Sequence, residues 1–175
     1  MSIAIGDPAP DITLPDTDGE EHALHASGTP SVVVFTCNHC PYAIAWHDRV
    51  LEAASDYAGR ARFLAVNPND GERYPADSYE AMRERVRADG GWPLPYLCDE
   101  SQEAARELGA KTTPDVFVFD GEGRLRYRGA PDSDHMDASQ NAVWLREALD
   151  AVLAGDEPAR PETRPVGCSV KWKAG

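Results

Sequence analysis

Residues 32–50 read VVVFTCNHCPYAIAWHDRV, and two cysteines three apart stand where the pattern of the chain changes. Upstream, SVVVFT (31–36) is a continuous apolar run, as expected of a central strand buried on both faces. Downstream, from Pro41 to Tyr57, Ile44, Val50, Leu51 and Ala54 recur at helical spacing, and Gly59 ends the helix. Cys37 therefore follows a strand and Cys40 lies at the start of a helix. There, unpaired N–H groups and the helix dipole stabilise an anion, which lowers the pKa of the first thiol. A thiolate attacks disulfides, and a second thiol three residues away can resolve the product. Pro41 fits the first helical turn, where a missing N–H is harmless. His39, if protonated, favours a thiolate on Cys37, and Asn38 shares its place between the thiols. Other readings of the pair stay open at this point. Half a zinc site needs two further ligands, and there is no second CxxC, only the scattered Cys98, Cys168, His47 and His135. Inert core residues and a passive disulfide are the remaining options.

Working outward, GDPAPDITLPDTDGEEHAL (6–24) predicts a short hairpin turning at Asp18-Gly19. ARFLAVN (61–67) predicts a second buried strand, and PNDGERYP a polar loop. Asp77 is expected to cap a charged helix, SYEAMRERVRA, which Gly90-Gly91 stops. PLPYLC (93–98) reads as a short strand, and ESQEAARELG as a helix with a Gly stop. DVFVFD (115–120) and RLRYRG (124–129) form a hairpin, and SQNAVWLREALDAVLAG a closing amphipathic helix. Strands alternating with helices give an α/β fold with a mixed sheet and helices on both faces. The domain expected is 1–154, with residues 155–175 as a tail packed on it.

The chain has 175 residues and 42% hydrophobic residues, enough for one domain with a substantial core. No apolar run reaches the length of a membrane span, and the N-terminus lacks the basic and apolar regions of a secretory signal, so a cytoplasmic location is expected. Four cysteines are too few and too uneven for a disulfide scaffold; in a reducing compartment a close pair is more often redox-active or metal-binding. A net charge of −13 argues against nucleic acid as a partner.

The CxxC between strand and helix, together with KTTPDVFVFD, which sets Thr113-Pro114 before a strand, resembles the thioredoxin superfamily. GDPAPDITLPDTDG, CNHCPYA, LCDESQEAARELGAKTTPDVFVFD, RYRG and PVGCSVKWK make the chain most similar to its peroxiredoxin-like, AhpC/TSA-like redoxin branch. The resemblance implies a thioredoxin-like fold with an N-terminal hairpin extension and a C-terminal tail. It implies a cis Thr113-Pro114 bond facing the CxxC, with Thr113 and Pro114 presenting backbone to a substrate chain. It also implies thiol–disulfide exchange by an exposed Cys37–Cys40 pair, with Cys37 attacking. No organic cofactor and no metal is required. The partners are a disulfide-containing protein or small thiol, and a thiol reductant.

Departures from the family pattern matter. Thr36 stands where thioredoxin has Trp, Asn38-His39 where it has Gly-Pro, and Ser31 where it has a buried Asp. His beside the second cysteine resembles the more oxidising relatives. In a peroxiredoxin reading Cys40 takes the peroxide-reactive place, but Cys37 replaces the activating Thr. Thr113-Pro114 lies where the Arg is expected, and Lys111 is only near in sequence. A thiol peroxidase is thus the second reading, and a non-catalytic metal or partner-binding module the third. Cys98 reads as a small buried hydrophobe. Trp46 and His47 read as packing or surface residues, and His135 as a solvated residue of an acidic loop. Val166, Cys168, Val170 and Trp172 are too apolar for a floppy tail. The tail is expected to fold back, aided by Arg160, Arg164, Lys171 and Lys173 against the acidic body, and to bring Cys168 near the CxxC as a possible third thiol.

Overall fold

The computed structural model describes residues 2–174. In chain order the elements are strands β1 (Thr13–Pro15), β2 (Glu21–Ala23) and β3 (Ser31–Phe35), helix α1 (Pro41–Asp56), β4 (Arg62–Asn67), α2 (Tyr79–Ala88) and β5 (Tyr96–Cys98). Then follow α3 (Glu103–Leu108), β6 (Thr112–Thr113), β7 (Asp115–Phe119), β8 (Leu125–Gly129), α4 (Val143–Leu153) and β9 (Cys168–Ser169). The central sheet runs β5-β4-β3-β7-β8, with β3, β4 and β5 parallel and β7 and β8 antiparallel. This is the thioredoxin-like α/β architecture with a mixed sheet.

β3 is central because all five of its residues are apolar or small, and all are buried. Its alternate side chains feed two cores. Val32 and Val34 meet α1, α2 and α4 through Val50, Ala53, Met82, Leu145 and Leu149. Val33 and Phe35 meet α3 and the β1-β2 hairpin through Leu108, Leu14 and Leu24. The hairpin turns where Gly19 adopts φ +83°, a conformation that favours glycine.

Two expectations are corrected. Ile44 faces outward, 52% exposed; the buried face of α1 is Ala43, Trp46, Arg49, Val50, Ala53 and Ala54. An arginine can occupy that face because Asp132 lies against it. Nη1 of Arg49 donates to both Asp132 oxygens at 3.1 and 3.0 Å, and Trp46 Nε1 donates to the same carboxylate at 2.8 Å. Asp77 does not cap α2. That place belongs to Ser78, whose Oγ accepts from the Ala81 N–H at 3.1 Å. Asp77 closes the preceding 3-10 turn and is buried instead.

The tail is ordered against the body. The Thr163 N–H donates to the Arg128 carbonyl at 3.0 Å, the Arg128 N–H donates to the Pro161 carbonyl at 3.0 Å, and Thr163 Oγ1 accepts from the Ala130 N–H at 2.9 Å. β9 then pairs antiparallel with β6, Thr113 opposite Cys168 and Thr112 opposite Ser169. Beyond it, the Lys171 carbonyl accepts from Asp70 N–H and Gln102 Nε2, and Asn69 Oδ1 accepts from Lys171 N–H. No helix among the described residues is long and apolar enough to cross a membrane.

Candidate active site

Cys37 leaves β3 after Thr36, and Cys40 is the N-cap residue of α1, with Pro41 at the first helical position. Both cysteines are fully buried and reduced. An exposed pair was expected, and the tail is the reason for the difference: Cys168 of β9 packs onto the cluster of Cys37, Cys40 and Ala43.

Thr113 faces both sulfurs. Its hydroxyl is 3.3 Å from Cys37 Sγ, and its carbonyl oxygen is 3.2 Å from Cys40 Sγ, where a protonated Cys40 can donate. The Thr113-Pro114 bond is cis, as the resemblance implied.

The two thiols hold their protons unequally. The hydrogen bond from Cys37, with further bonds from Cys168 and from the backbone N–H of Ala43, brings the Cys40 thiol down to about 4 against the effect of burial. The same Cys40 contact, then burial and the Asp77 charge, pushes Cys37 far up, opposed by the Thr113 hydroxyl. The pair therefore releases one proton readily and retains the other. Cys40, not Cys37, sits at the helix N-terminus, where a negative charge is favoured, and Asp77 lies on the Cys37 side.

Asp77 is the organising residue that sequence reading missed. Its Oδ1 accepts from Asn38 N–H at 2.6 Å and from Asn67 Nδ2 at 3.2 Å; its Oδ2 accepts from Asn69 Nδ2 at 3.0 Å and pairs with His39. His39 therefore turns to a carboxylate, not to the thiols alone, and stacks on Tyr74. Asn38 is held by Arg85 and Tyr96, whose donors reach its Oδ1 at 3.0 and 2.7 Å. Arg85 also donates to the Cys37 carbonyl at 3.1 Å, fixing the loop.

Cys37, His39 and Asp77 offer one ligand atom each within 4.8 Å of one another. Three donors are one short of a closed tetrahedral site, and Asp77 is already engaged. His47 is half-buried against Trp92, and its desolvation brings it down to about 4, so it is neutral near pH 7. His135 packs on Tyr42 and Trp46. Cys98 is half-buried at the end of β5, and burial pushes its thiol up to about 11.

Residues 5–128 match the AhpC/TSA family model. The chain belongs to the AhpC/TSA family. Among solved structures, this AhpC/TSA protein is similar to a hypothetical protein from Sinorhizobium meliloti 1021, at 35% identity and a TM-score of 0.92, covering 100% of this chain and 98% of that one. It is equally similar to an uncharacterized conserved protein from Geobacillus kaustophilus, at 35% identity and a TM-score of 0.91, covering 98% and 94%. A putative thiol:disulfide interchange protein DsbE from Chlorobium tepidum shares the fold at 23% identity and a TM-score of 0.64, covering 87% and 99%. A search of curated proteins finds no match.

Proposed function

We propose that this AhpC/TSA protein is a thiol–disulfide oxidoreductase whose electrons reside in the Cys37–Cys40 pair. The observation that carries this is the packing of two reduced cysteines together opposite the cis Thr113-Pro114 bond. Two reduced sulfurs pack in one buried cluster, Cys40 as the N-cap of α1 and both facing Thr113, and the pair shares its protons unequally, as a dithiol ready to become a disulfide does. Thiolate attack on a partner disulfide forms a mixed disulfide and expels one partner thiolate. The second thiol then attacks the mixed disulfide, expels the other, and leaves Cys37–Cys40 oxidised. Asn38 and His39, tied to Asp77, hold the loop that sets the two sulfurs apart. Thr113 adjusts both sulfurs at once, through its hydroxyl and its carbonyl.

The purified protein should reduce insulin disulfides with dithiothreitol as electron source, and both Cys37→Ser and Cys40→Ser should abolish turnover. Normal turnover in either variant would sink the pair as the active group.

A second reading is favoured by the thiolate at Cys40: a thiol peroxidase with Cys40 as the peroxide-reactive sulfur. The guanidinium nearest the motif, Arg85, is committed to the Cys37 carbonyl and Asn38, so slow peroxide turnover is expected. Rapid consumption of hydrogen peroxide that survives Cys37→Ser would reverse the ranking.

A further inference from the structure

We propose that Cys168 is a third redox thiol, the port through which the buried Cys37–Cys40 pair exchanges electrons with thiols outside. The proposal rests on the dithiol reading above and adds the route by which that pair is reached.

Three independent observations converge on it. The first is burial. Cys37 and Cys40 are both 0% exposed, so neither sulfur meets a solvent-borne thiol in this structure. Cys168 is only half-buried, and of the three clustered sulfurs it alone borders solvent.

The second is proximity. Cys168 packs against the cluster of Cys37, Cys40 and Ala43, and its contact with Cys40 lowers the Cys40 thiol while raising its own. Cys168 thus shares one packed cluster with both members of the pair, the proximity needed to pass a disulfide among three positions.

The third is how the tail is seated. β9 takes the backbone edge of β6 beside the cis bond, with Cys168 opposite Thr113, and the Val170 N–H donates to the Lys111 carbonyl at 3.1 Å. Gly167 passes so close to Thr113 that a methyl group added there would strike the Thr113 carbonyl. The tail thus lies where an incoming chain would pair with β6, and it delivers its own sulfur to Cys40.

The steps balance as follows. In the oxidised protein the Cys168 thiolate attacks Cys40 Sγ; the Cys40–Cys168 bond forms, the Cys37–Cys40 bond breaks, and Cys37 leaves as a thiolate and takes a proton. An external dithiol then attacks Cys168 Sγ, forming a mixed disulfide and releasing the Cys40 thiolate. The second thiol of that reductant attacks its own sulfur, releases Cys168, and departs as a disulfide. Two electrons enter the protein and the reductant is oxidised. Run backward, the same steps oxidise the pair with a partner disulfide. Burial and the neighbouring Cys40 raise the Cys168 thiol in the reduced state. Once Cys40 is in a disulfide its charge is gone, and the Cys168 thiolate becomes easier to form at the moment it is needed.

The test has two arms on the full chain. In Cys37→Ser, diamide oxidation followed by acid quench and disulfide mapping should yield an intramolecular Cys40–Cys168 bond. In a second arm, the oxidised wild type and oxidised Cys168→Ala are reduced by dithiothreitol and followed by thiol release. The variant should be at least tenfold slower, with Cys98→Ala as an unaffected control. Cys168→Ser should behave like Cys168→Ala, which separates loss of the thiol from loss of packing. Absence of the Cys40–Cys168 bond in Cys37→Ser overturns the proposal, as does equal reduction of wild type and Cys168→Ala. A wild type that forms no Cys37–Cys40 bond on oxidation overturns the dithiol reading itself.

Discussion

At the scale of single residues, the site is built from acids that hold backbone. Asp77 gathers the 38–39 and 67–69 turns, and Asp115 does the same for the cis-Pro turn, accepting from the Lys111 N–H at 3.1 Å. Asp115 is buried with its other carboxylate oxygen unpartnered, and burial lifts it to about 7 despite that bond. The unfolded chain releases this proton near pH 4, whereas the folded chain keeps it to about pH 7. The folded state thus binds the extra proton in that window, and stability falls as pH rises through it. Asp115→Asn cannot ionise. Relative to wild type it should gain stability as the pH rises from about 4 to about 7, reaching on the order of 4 kcal/mol above that. Urea unfolding of both proteins across that range checks this; a constant difference between them would remove the claim. Asp115 is legible in the sequence only as the first residue of a strand. Its titration depends on what packs over it, which no local pattern encodes.

At the scale of elements, the strands and helices were legible because their patterns are local. β3 and β7 are apolar runs buried on both faces, and the hairpin turns carry glycine where φ is positive. What was not legible came from pairing distant in sequence. Arg49 sits on the buried face of α1, which reads as a break in the apolar stripe until Asp132 arrives from across the chain. Of the basic residues expected to dock the tail by charge, Arg160 does pair with Glu147 at 3.6 Å, whereas Lys171 Nζ turns back onto Ser169 and the segment beyond β9 is held by backbone and amide contacts. The β6-β9 pairing is only two residues long, too short for any periodicity to announce. Its test is steric. Gly167→Val places bulk against the Thr113 carbonyl and should lift β9 from β6. The buried pair then becomes reachable, and the native-state rate of Cys37 and Cys40 labelling by an aromatic disulfide reagent should rise at least tenfold, with the overall fold kept by circular dichroism. Unchanged labelling would mean that something other than the tail covers the pair.

At the scale of the whole molecule, the fold joins a helix N-terminus, a cis-Pro turn and a returning tail around one sulfur, and the consequence is a redox couple with unequal protons. The disulfide form carries no thiol protons. The reduced form is a coupled pair that gives up one proton more readily than an isolated thiol and holds the other more tightly, the shifts placing the charge toward Cys40. A thiol whose titration is lowered in the fold stabilises the reduced folded state fully only above its ordinary value near 9, and that stabilisation is lost progressively as the pH falls from there to about 4. Two consequences follow for the couple. The reduced form is favoured, so the potential should lie on the oxidising side of the thioredoxin value of about −270 mV. Reduction by two electrons also takes up one proton rather than two. A tenfold change in proton activity therefore shifts the potential by about 30 mV, half the shift of about 59 mV for a couple that binds both protons. Equilibration against glutathione buffers at pH 5.5, 6.5 and 7.5, with the Cys37–Cys40 state read by alkylation and mass spectrometry, measures both quantities. A slope near about 59 mV per pH unit would show that Cys40 keeps its proton in the reduced protein, and with it would go the charge that makes this site a nucleophile at rest.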